Sequence, residues 1–427
     1  MRDDNDACDV ELLAMAAAKV VDFLITEDRG IHRRAVRGGE AACVLDVTDA
    51  LAWVHQTFEP SKVVLPHVEE VPAYAIDLGD SFFDSLREDY AGFDEWFTEK
   101  CVRSHRLCWA IRLRGRLAGI AIRKEETGEE ADCVDSGEKI LKVCTFKIAS
   151  EFQGEKFGEQ LLKQVLWWAD RNGFDAVYLT VYPKHGQLID LLSEYGFEGT
   201  RRLDDGELLL ERPMRRGPGC AAVPLEDVVQ WNRRHYPRFY LGRATRTFCV
   251  PIRPAYHERL FPEVSVRLQM DLFRELLGDA GGRSMTPGNT IRKVYLCRAG
   301  TRRLRPGDLL AFYVSKGPGF QDSQCITTLG VVEGVAEAES VEEVVRATAR
   351  RSVFSFSELQ ELVGESEAPL KIIDFLLVAH LRTPIALDEL TSSGVFLGHP
   401  PQTIMECREK RRRSLHQALG REVDVWQ

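Results

Sequence analysis

The chain has 427 residues, of which 44% are hydrophobic and 29% charged, with a formal net charge of −10. That length is too great for one ordinary core and predicts about two to four domains with the composition of a globular protein. The charge is uneven: residues 225–427 hold 28 Lys+Arg and 25 Asp+Glu, which leaves 28 and 41 for residues 1–224, or +3 against −13. The acidic first half is not built for nonspecific binding to a phosphate backbone, while the second half permits local contact with nucleic acid.

No run of about 18 apolar residues occurs, so no transmembrane helix and no membrane partner are expected. The acidic start MRDDNDACDV lacks the basic and apolar regions of a secretory signal. The 11 cysteines are scattered, without CxxC or Cys/His ligand spacing. This pattern predicts a cytoplasmic protein with unpaired thiols and no metal site.

Val10–Ala18 reads as an apolar helix, and Phe23–Thr26 as a short strand followed by Asp28. The basic segment RGIHRRAVRGG ends in a glycine pair, and CVLDVTDALAWVHQTF reads as a strand and a helix with Thr48 as its N-cap. The carboxylates at Asp9, before the helix, and Asp28, after the strand, make residues 1–65 resemble the C-terminal half of a PIN nuclease domain. In that family such residues help to hold a divalent metal. The family's first strand and its central Glu have no counterpart here, and two carboxylates are a poor cage for a hard cation. The expectation is therefore a short α/β packing module, with metal-dependent cleavage as the lesser reading.

Residues 71–214 read as strand, helices, hairpin, strand, helix, strand, helix, strand. The hairpin LCWAIRLRGRLAGIAIRKEE alternates on both arms. The organising stretch is KVCTFKIASEFQGEKFGEQLL, Lys142–Leu162: a strand, a polar turn and an amphipathic helix without a conventional cap. Such a helix start offers unpaired N–H groups at the positive end of the helix dipole, a seat for phosphate. The helix ends at Gly173, the strand AVYLTVYP stops at Pro183, and GQLIDLLSEYG runs through GFEGTRRL into GELLLERPM.

With FQGEKFGEQLL after the fourth strand and LLSEYGFE after the last helix, this order resembles the GNAT N-acetyltransferase family. The resemblance implies a mixed sheet with flanking helices, acetyl-CoA as cofactor and an amine of unknown identity as acceptor. It implies that the backbone of Phe146, Lys147 and Ile148 pairs with the pantetheine arm. Gln153, Gly154, Glu155, Lys156, Phe157, Gly158 and Glu159 would seat the pyrophosphate, and His185 would lie near the coenzyme. Lys156 stands where the family usually has glycine. Leu192 stands where many members place the tyrosine that protonates the departing thiolate, and Leu has no proton to give. Tyr182 and Tyr195 are the nearby substitutes, and no catalytic residue is assigned. Cys144 reads as core, because no partner base is visible.

After the linker Gly217-Pro218-Gly219, residues 222–427 hold several short β runs with Gly/Pro/Asp turns, the pattern of a small barrel. FCVPIRPAYHERLFPE, IRKVYLCRAGTRRLRPGDLLAFYVS and TTLGVVEGV resemble the PUA-like barrels of the ASCH and EVE groups, which implies recognition of RNA or modified bases. Phe312, Tyr313 and Lys316 are the contact candidates there, beside the basic run Arg408–Arg413. A helical tail closes the chain. The fold class is thus α+β and multidomain. The function it implies is transfer of acetyl from acetyl-CoA to an amine, RNA-linked in one version. The alternative is a non-catalytic coenzyme- or RNA-binding module.

Overall fold

The computed structural model describes the chain except residues 1–3, 19, 22, 39–42, 48–49, 51–53, 55–66, 114, 134–136, 154–155, 215–222, 243–244, 265–284, 287–289, 318–322, 349–351, 355, 367 and 421–427. Thr48, Gly154, Glu155 and the Gly217–Gly219 linker lie outside the described residues.

At the N-terminus, β1 (Leu24–Ile25) pairs parallel with β2 (Val44–Leu45). The helix Asp4–Ala17 precedes this pair. The basic segment forms the helix Arg29–Gly38, burying Ile31 and Ala35 against Val44 and leaving Arg33 and Arg37 exposed. Asp28 caps this helix, its Oδ1 accepting the N–H groups of Gly30 at 2.6 Å and Ile31 at 3.2 Å. Asp9 is ion-paired with Arg34. Both carboxylates of the PIN-like pattern are therefore engaged in holding this segment together. Among the described residues no group of three or more His, Cys, Asp or Glu gathers as a metal site would require.

Next come β3 (Val68–Pro72), β4 (Leu107–Leu113), β5 (Arg116–Thr127), β6 (Lys139–Ile148), β7 (Ala176–Val181), β8 (Glu198–Arg202) and β9 (Leu208–Pro213). They form one sheet in the order β3-β4-β5-β6-β7-β9-β8. Every neighbouring pair is antiparallel except β6 and β7. GFEGTRRL, expected to run on into the closing strand, includes a strand of its own, β8. All five β8 residues are exposed, so no apolar alternation marks it. The Asp205-Gly206 pair, with Gly206 at φ +92°, is the hairpin signal that does.

The C-terminal half builds a second sheet, in the order β12-β15-β14-β13-β10-β16. Its strands are β10 (Thr247–Ile252), β12 (Arg292–Cys297), β13 (Leu309–Val314), β14 (Cys325–Ala338), β15 (Leu370–Ala386) and β16 (Met405–Cys407). Among the described residues, no ladder joins β12 to β16. The run IIDFLLVAHLRTPIALDEL, which the sequence reading places in the helical tail, instead falls largely in β15, at 17 residues the longest strand among the described residues, between β12 and β14. Its β-branched and aromatic residues suit a strand buried on both faces. Phe312 and Tyr313 are buried core residues, Phe312 packing against Phe261, Tyr295 and Phe375, so neither is available to a ligand; Lys316 is exposed. The remaining strand, β11 (Met285–Thr286), crosses over to pair with β3 and extends the first sheet.

The two sheets share one apolar core. It runs from Trp109, Leu161 and Leu166 through Tyr236 to Leu309, Tyr313 and Leu376. The helix Phe157–Arg171 joins the two sides. Leu161, Leu162, Val165, Leu166 and Ala169 are buried in that core, and each large aliphatic side chain contributes about 1.5–3 kcal/mol relative to exposure. Its polar face is buried as well: Glu159, Gln160 and Lys163 are all less than a tenth exposed. Lys163 is ion-paired with Glu263, and Trp167 packs on Tyr236 and His380. Glu159 accepts the backbone N–H of Arg292 at 2.7 Å. No helix among the described residues is long and apolar enough to cross a membrane.

Candidate active site

The parallel pairing of β6 with β7 covers three residues, Ile140–Lys142 against Ala176–Tyr178, and then stops. Beyond it the strands part, and among the described residues one edge of Val143–Ile148 and of Leu179–Val181 has no strand partner. A register shift in the β5–β6 ladder leaves Cys144 as an extra residue just where the parting begins. Such bulges bend a strand and re-aim its side chains. Ala149 donates its N–H to Ala118 on the β5 side at 2.9 Å. Strand alternation then turns the N–H groups of Ile148 and Phe146 the other way, into the gap.

A cleft of about 1670 Å³ occupies this gap. Phe146, Lys147, Ile148, Gln153, Lys156, Phe157, Gly158, Glu159 and His185 all line it. Nine of the eleven positions singled out from the sequence are thus gathered around one cavity; Gly154 and Glu155 lie outside the described residues. The helix Phe157–Arg171 opens onto the cleft, and Lys156 caps it with no side-chain hydrogen bond to its first turn. The first intrahelical bond to Lys156 comes from Gln160. The N–H groups of Phe157, Gly158 and Glu159 lie ahead of it, at the positive end of the helix.

Lys156 has φ +59° and ψ +20°, in the left-handed region. That conformation costs a non-glycine residue about 1–2 kcal/mol. It also explains why glycine suits this position. Lys156→Gly is expected to raise stability by about 0.5–1 kcal/mol once the greater freedom of the unfolded glycine is subtracted. A urea titration checks this. Calorimetric titration of the same variant with acetyl-CoA shows whether the lysine charge is part of the seat: retained affinity is expected, and a marked loss would assign it that role.

The helix Asp84–Asp89 and the residues following it close the opposite side. Lys147 reaches across to Ser85 and lies 5.3 Å from the Phe82 ring. Burial lowers its ammonium pKa, against the pull of Asp89, Asp84 and Glu88. His185 Nε2 lies 3.3 Å from Asp89, which is also paired with Lys184. The Lys184 contact holds the Asp89 carboxyl below its usual range. Cys144 accepts a hydrogen bond from Arg106 at 3.2 Å, and burial pushes its thiol upward, so it is no ready nucleophile.

Neither substitute tyrosine reaches the cleft. Leu192 is 1% exposed and Tyr195 likewise. Tyr195 packs on Tyr236 at the seam between the sheets, and burial raises its pKa well above the usual tyrosine value. The Tyr182 ring lies 5.2 Å from that of Tyr90, tilted by 33°. Tyr90 itself lines the cleft and donates to Glu207 Oε1 at 2.7 Å. Glu126, also in the wall, is paired with Lys124 at 2.7 Å and with the Tyr178 hydroxyl. Sequence reasoning passed over Tyr90, Glu126 and Glu207, because a tyrosine after a short helix and two glutamates carry no motif. Arg29 and His32 reach the rim from the N-terminal segment, Arg29 pairing with Asp190, and Arg292 reaches it from the C-terminal half.

No curated protein matches the chain. Among solved structures, ASCH from Zymomonas mobilis aligns at 14% identity over 42% of this chain and 97% of its own, with a TM-score of 0.27. NAA60 from Arabidopsis thaliana, in complex with a bisubstrate analogue, aligns at 18% identity over 35% and 99%, with a TM-score of 0.28. A GNAT family acetyltransferase from Elizabethkingia anophelis with acetyl-CoA bound aligns at 14% identity over 34% and 97%, with a TM-score of 0.25. The acetyltransferase (GNAT) family model matches residues 73–197, the stretch that holds the parted strands, the uncapped helix and most of the cleft wall. The chain therefore carries a GNAT acetyltransferase domain over those residues.

Proposed function

We propose that the protein transfers an acetyl group from acetyl-CoA to an amine, using residues 71–214 as its catalytic unit. The observation that carries this is the single cleft in which β6 and β7 part beside an uncapped helix start. Acetyl-CoA would supply the acyl group as an activated thioester. The N–H groups at the start of the helix Phe157–Arg171, with the turn from Gln153, would hold its pyrophosphate. The open edge of Phe146–Ile148 would pair with the pantetheine amides as an added strand. The inward N–H near Ile148 would stabilise negative charge on the thioester oxygen during attack. His185, which lines the cleft, would lie near the coenzyme.

A second reading is favoured by one observation: Leu192 and Tyr195 are both buried away from the cleft, so the usual proton donor to the departing thiolate is missing. In this reading the domain binds the coenzyme without turning it over. Incubation with acetyl-CoA and a panel of amines, with free thiol measured, separates the two. Thiol release that depends on an added amine is expected. Coenzyme binding without release across the panel would favour the binding module. The C-terminal unit, residues 222–427, joins the proposal as a PUA-like recognition module. An RNA-linked acceptor requires that RNA bind the full-length chain with a measurable salt dependence.

A further inference from the structure

The C-terminal sheet ends, beyond β10, on the three-residue strand β16. The antiparallel register sets Thr247 opposite Cys407 and Cys249 opposite Met405. Residues two apart on a strand share a face, so Cys249 and Cys407 lie diagonally on one side of this ladder. Their sulfurs are 3.3 Å apart, although 158 positions separate them in sequence. Cys249 is 0% exposed and Cys407 2%. Spacing gave no sign of this pair, because the fold alone brings the two strands together.

Two buried thiols can serve simply as small apolar side chains. The surroundings of this pair equip it for more. With Cys249 as donor, the Cys249 thiol holds that of Cys407 below its ordinary value. Burial opposes this, while the Cys249 N–H and the Arg411 guanidinium support it. Arg411 also donates to the Met405 thioether at 3.4 Å, which keeps its positive charge over this cluster of sulfurs. A thiolate stabilised in this way is the attacking group of a thiol pair, and its neighbour is the resolving one. A short edge strand opens locally more readily than a central one, which admits a molecule little larger than water. Bond formation requires the sulfurs to close to about 2 Å, a shift within reach of so short a strand.

We propose that Cys249 and Cys407 are an oxidative modification site, at which a hydroperoxide converts the thiol pair into a disulfide that staples β16 to β10. Cys407 sulfur attacks one peroxide oxygen. The S–O bond forms, the O–O bond breaks, and the departing hydroxide takes the Cys407 proton and leaves as water. Cys249 sulfur then attacks the sulfenic sulfur of Cys407. The S–S bond forms, the S–O bond breaks, and the second hydroxide leaves as water with the Cys249 proton. The two thiols lose two electrons and the peroxide gains them. β16 runs through Arg408 into the helix Glu409–Leu419, which buries Leu415 and Leu419 in the shared core. The staple therefore fixes the sheet edge together with the helix that carries the basic run. Closing so long a loop restricts the unfolded chain, so the oxidised protein is the more stable form. Neither cysteine lines the cleft, and the site stands independently of acetyl transfer.

The test treats the full-length protein with hydrogen peroxide, removes the excess with catalase, alkylates the remaining thiols under denaturing conditions and maps the digest by mass spectrometry without reductant. A peptide pair joined through Cys249 and Cys407 is expected, with both cysteines lost from the alkylated set and regained after dithiothreitol. The urea midpoint of the oxidised protein should exceed that of the reduced protein and return to it with dithiothreitol. In Cys249→Ala, dimedone should capture a sulfenic acid at Cys407, whereas in Cys407→Ala it should leave Cys249 unlabelled. The mapping uses the parent protein and so does not depend on how either variant folds. The proposal is overturned if both cysteines remain alkylated after peroxide, if Cys407 is joined to any other cysteine, or if oxidation leaves the midpoint unchanged.

Discussion

Replacing Lys163 with methionine is expected to cost about 3 kcal/mol of unfolding free energy, a large share of the stability of an ordinary protein. Lys163 is 4% exposed and paired with Glu263, itself 8% exposed, across the seam between the two sheets. Methionine fills similar volume, so packing is nearly kept and the effect isolates the charge. The surviving carboxylate would be left with Lys293 and His380, which keeps the loss at the lower end of the range for a broken buried pair. Glu263→Leu, which strands the Lys163 ammonium instead, should cost a comparable amount. The double variant Lys163→Met/Glu263→Leu should recover much of the loss, because an apolar pair leaves no charge stranded. Urea titrations of the four proteins form the cycle. Additive losses in the double variant would show that the pair is not coupled.

The same seam gives the protein an acid-sensitive joint. His380 contacts Thr328 at 3.0 Å and His257 contacts Thr327 at 2.7 Å, both in a buried chain of hydroxyls. Burial lowers the His257 pKa to about 3, helped by His380 and Lys293. Burial likewise lowers His380 to about 4, against the pull of Glu263. Between the ordinary histidine value of 6.5 and these values, the unfolded chain binds protons that the folded chain excludes. Stability is therefore full above that ordinary value and falls as the pH drops toward 4. Glu263 acts in the same direction: burial pushes it up, but Lys163, Lys293 and His380 prevail and hold it well below 4.5. Its contribution is present above 4.5 and is lost as the pH falls through its lower folded value. Urea midpoints measured across this range check the sign.

The second large effect is expected at Gly158. This glycine lines the cleft in the first turn of the helix that faces it. A Cβ there would stand 3.2 Å from Leu191 Cδ2 and 4.0 Å from Ile148 Cγ1, between two of the walls. A glutamate at this position would narrow the passage and place a carboxylate where the helix dipole otherwise favours an anionic ligand. Gly158→Glu is expected to weaken acetyl-CoA binding about a hundredfold, or about 2.7 kcal/mol. The fold itself should change little, since a carboxylate in the first turn suits the dipole and glycine is a poor helix former. Calorimetry reports the affinity and circular dichroism reports the fold. Unchanged affinity would move the coenzyme away from this helix.

The strand–turn–helix of Lys142–Leu162 was legible because its signals are local: apolar alternation, a polar turn and a helical stripe. The nine chosen residues that line one cleft were carried over from the family resemblance, which itself rested on the order of elements and two motifs. The parting of β6 and β7 was not legible, since pairing length is a property of two strands distant in sequence. Glu207 was hidden for the same reason. A glutamate in a loop means nothing until Tyr90, over a hundred positions earlier, is placed against it. The helix Phe157–Arg171 taught the opposite lesson. Its polar face, Glu159, Gln160 and Lys163, would face solvent by periodicity alone, yet it is buried against the C-terminal sheet. β15 was misplaced in a tail because continuous apolar runs at a chain end do not announce which strands they join.

The most direct test of the account is calorimetric titration of acetyl-CoA into the full-length protein, with thermal unfolding followed at rising ligand. Saturable binding of one coenzyme per chain is expected. Stability should rise as RT ln(1 + [L]/Kd), about 2.7 kcal/mol at a hundred times Kd. Absence of both heat and thermal shift at millimolar acetyl-CoA would contradict the account.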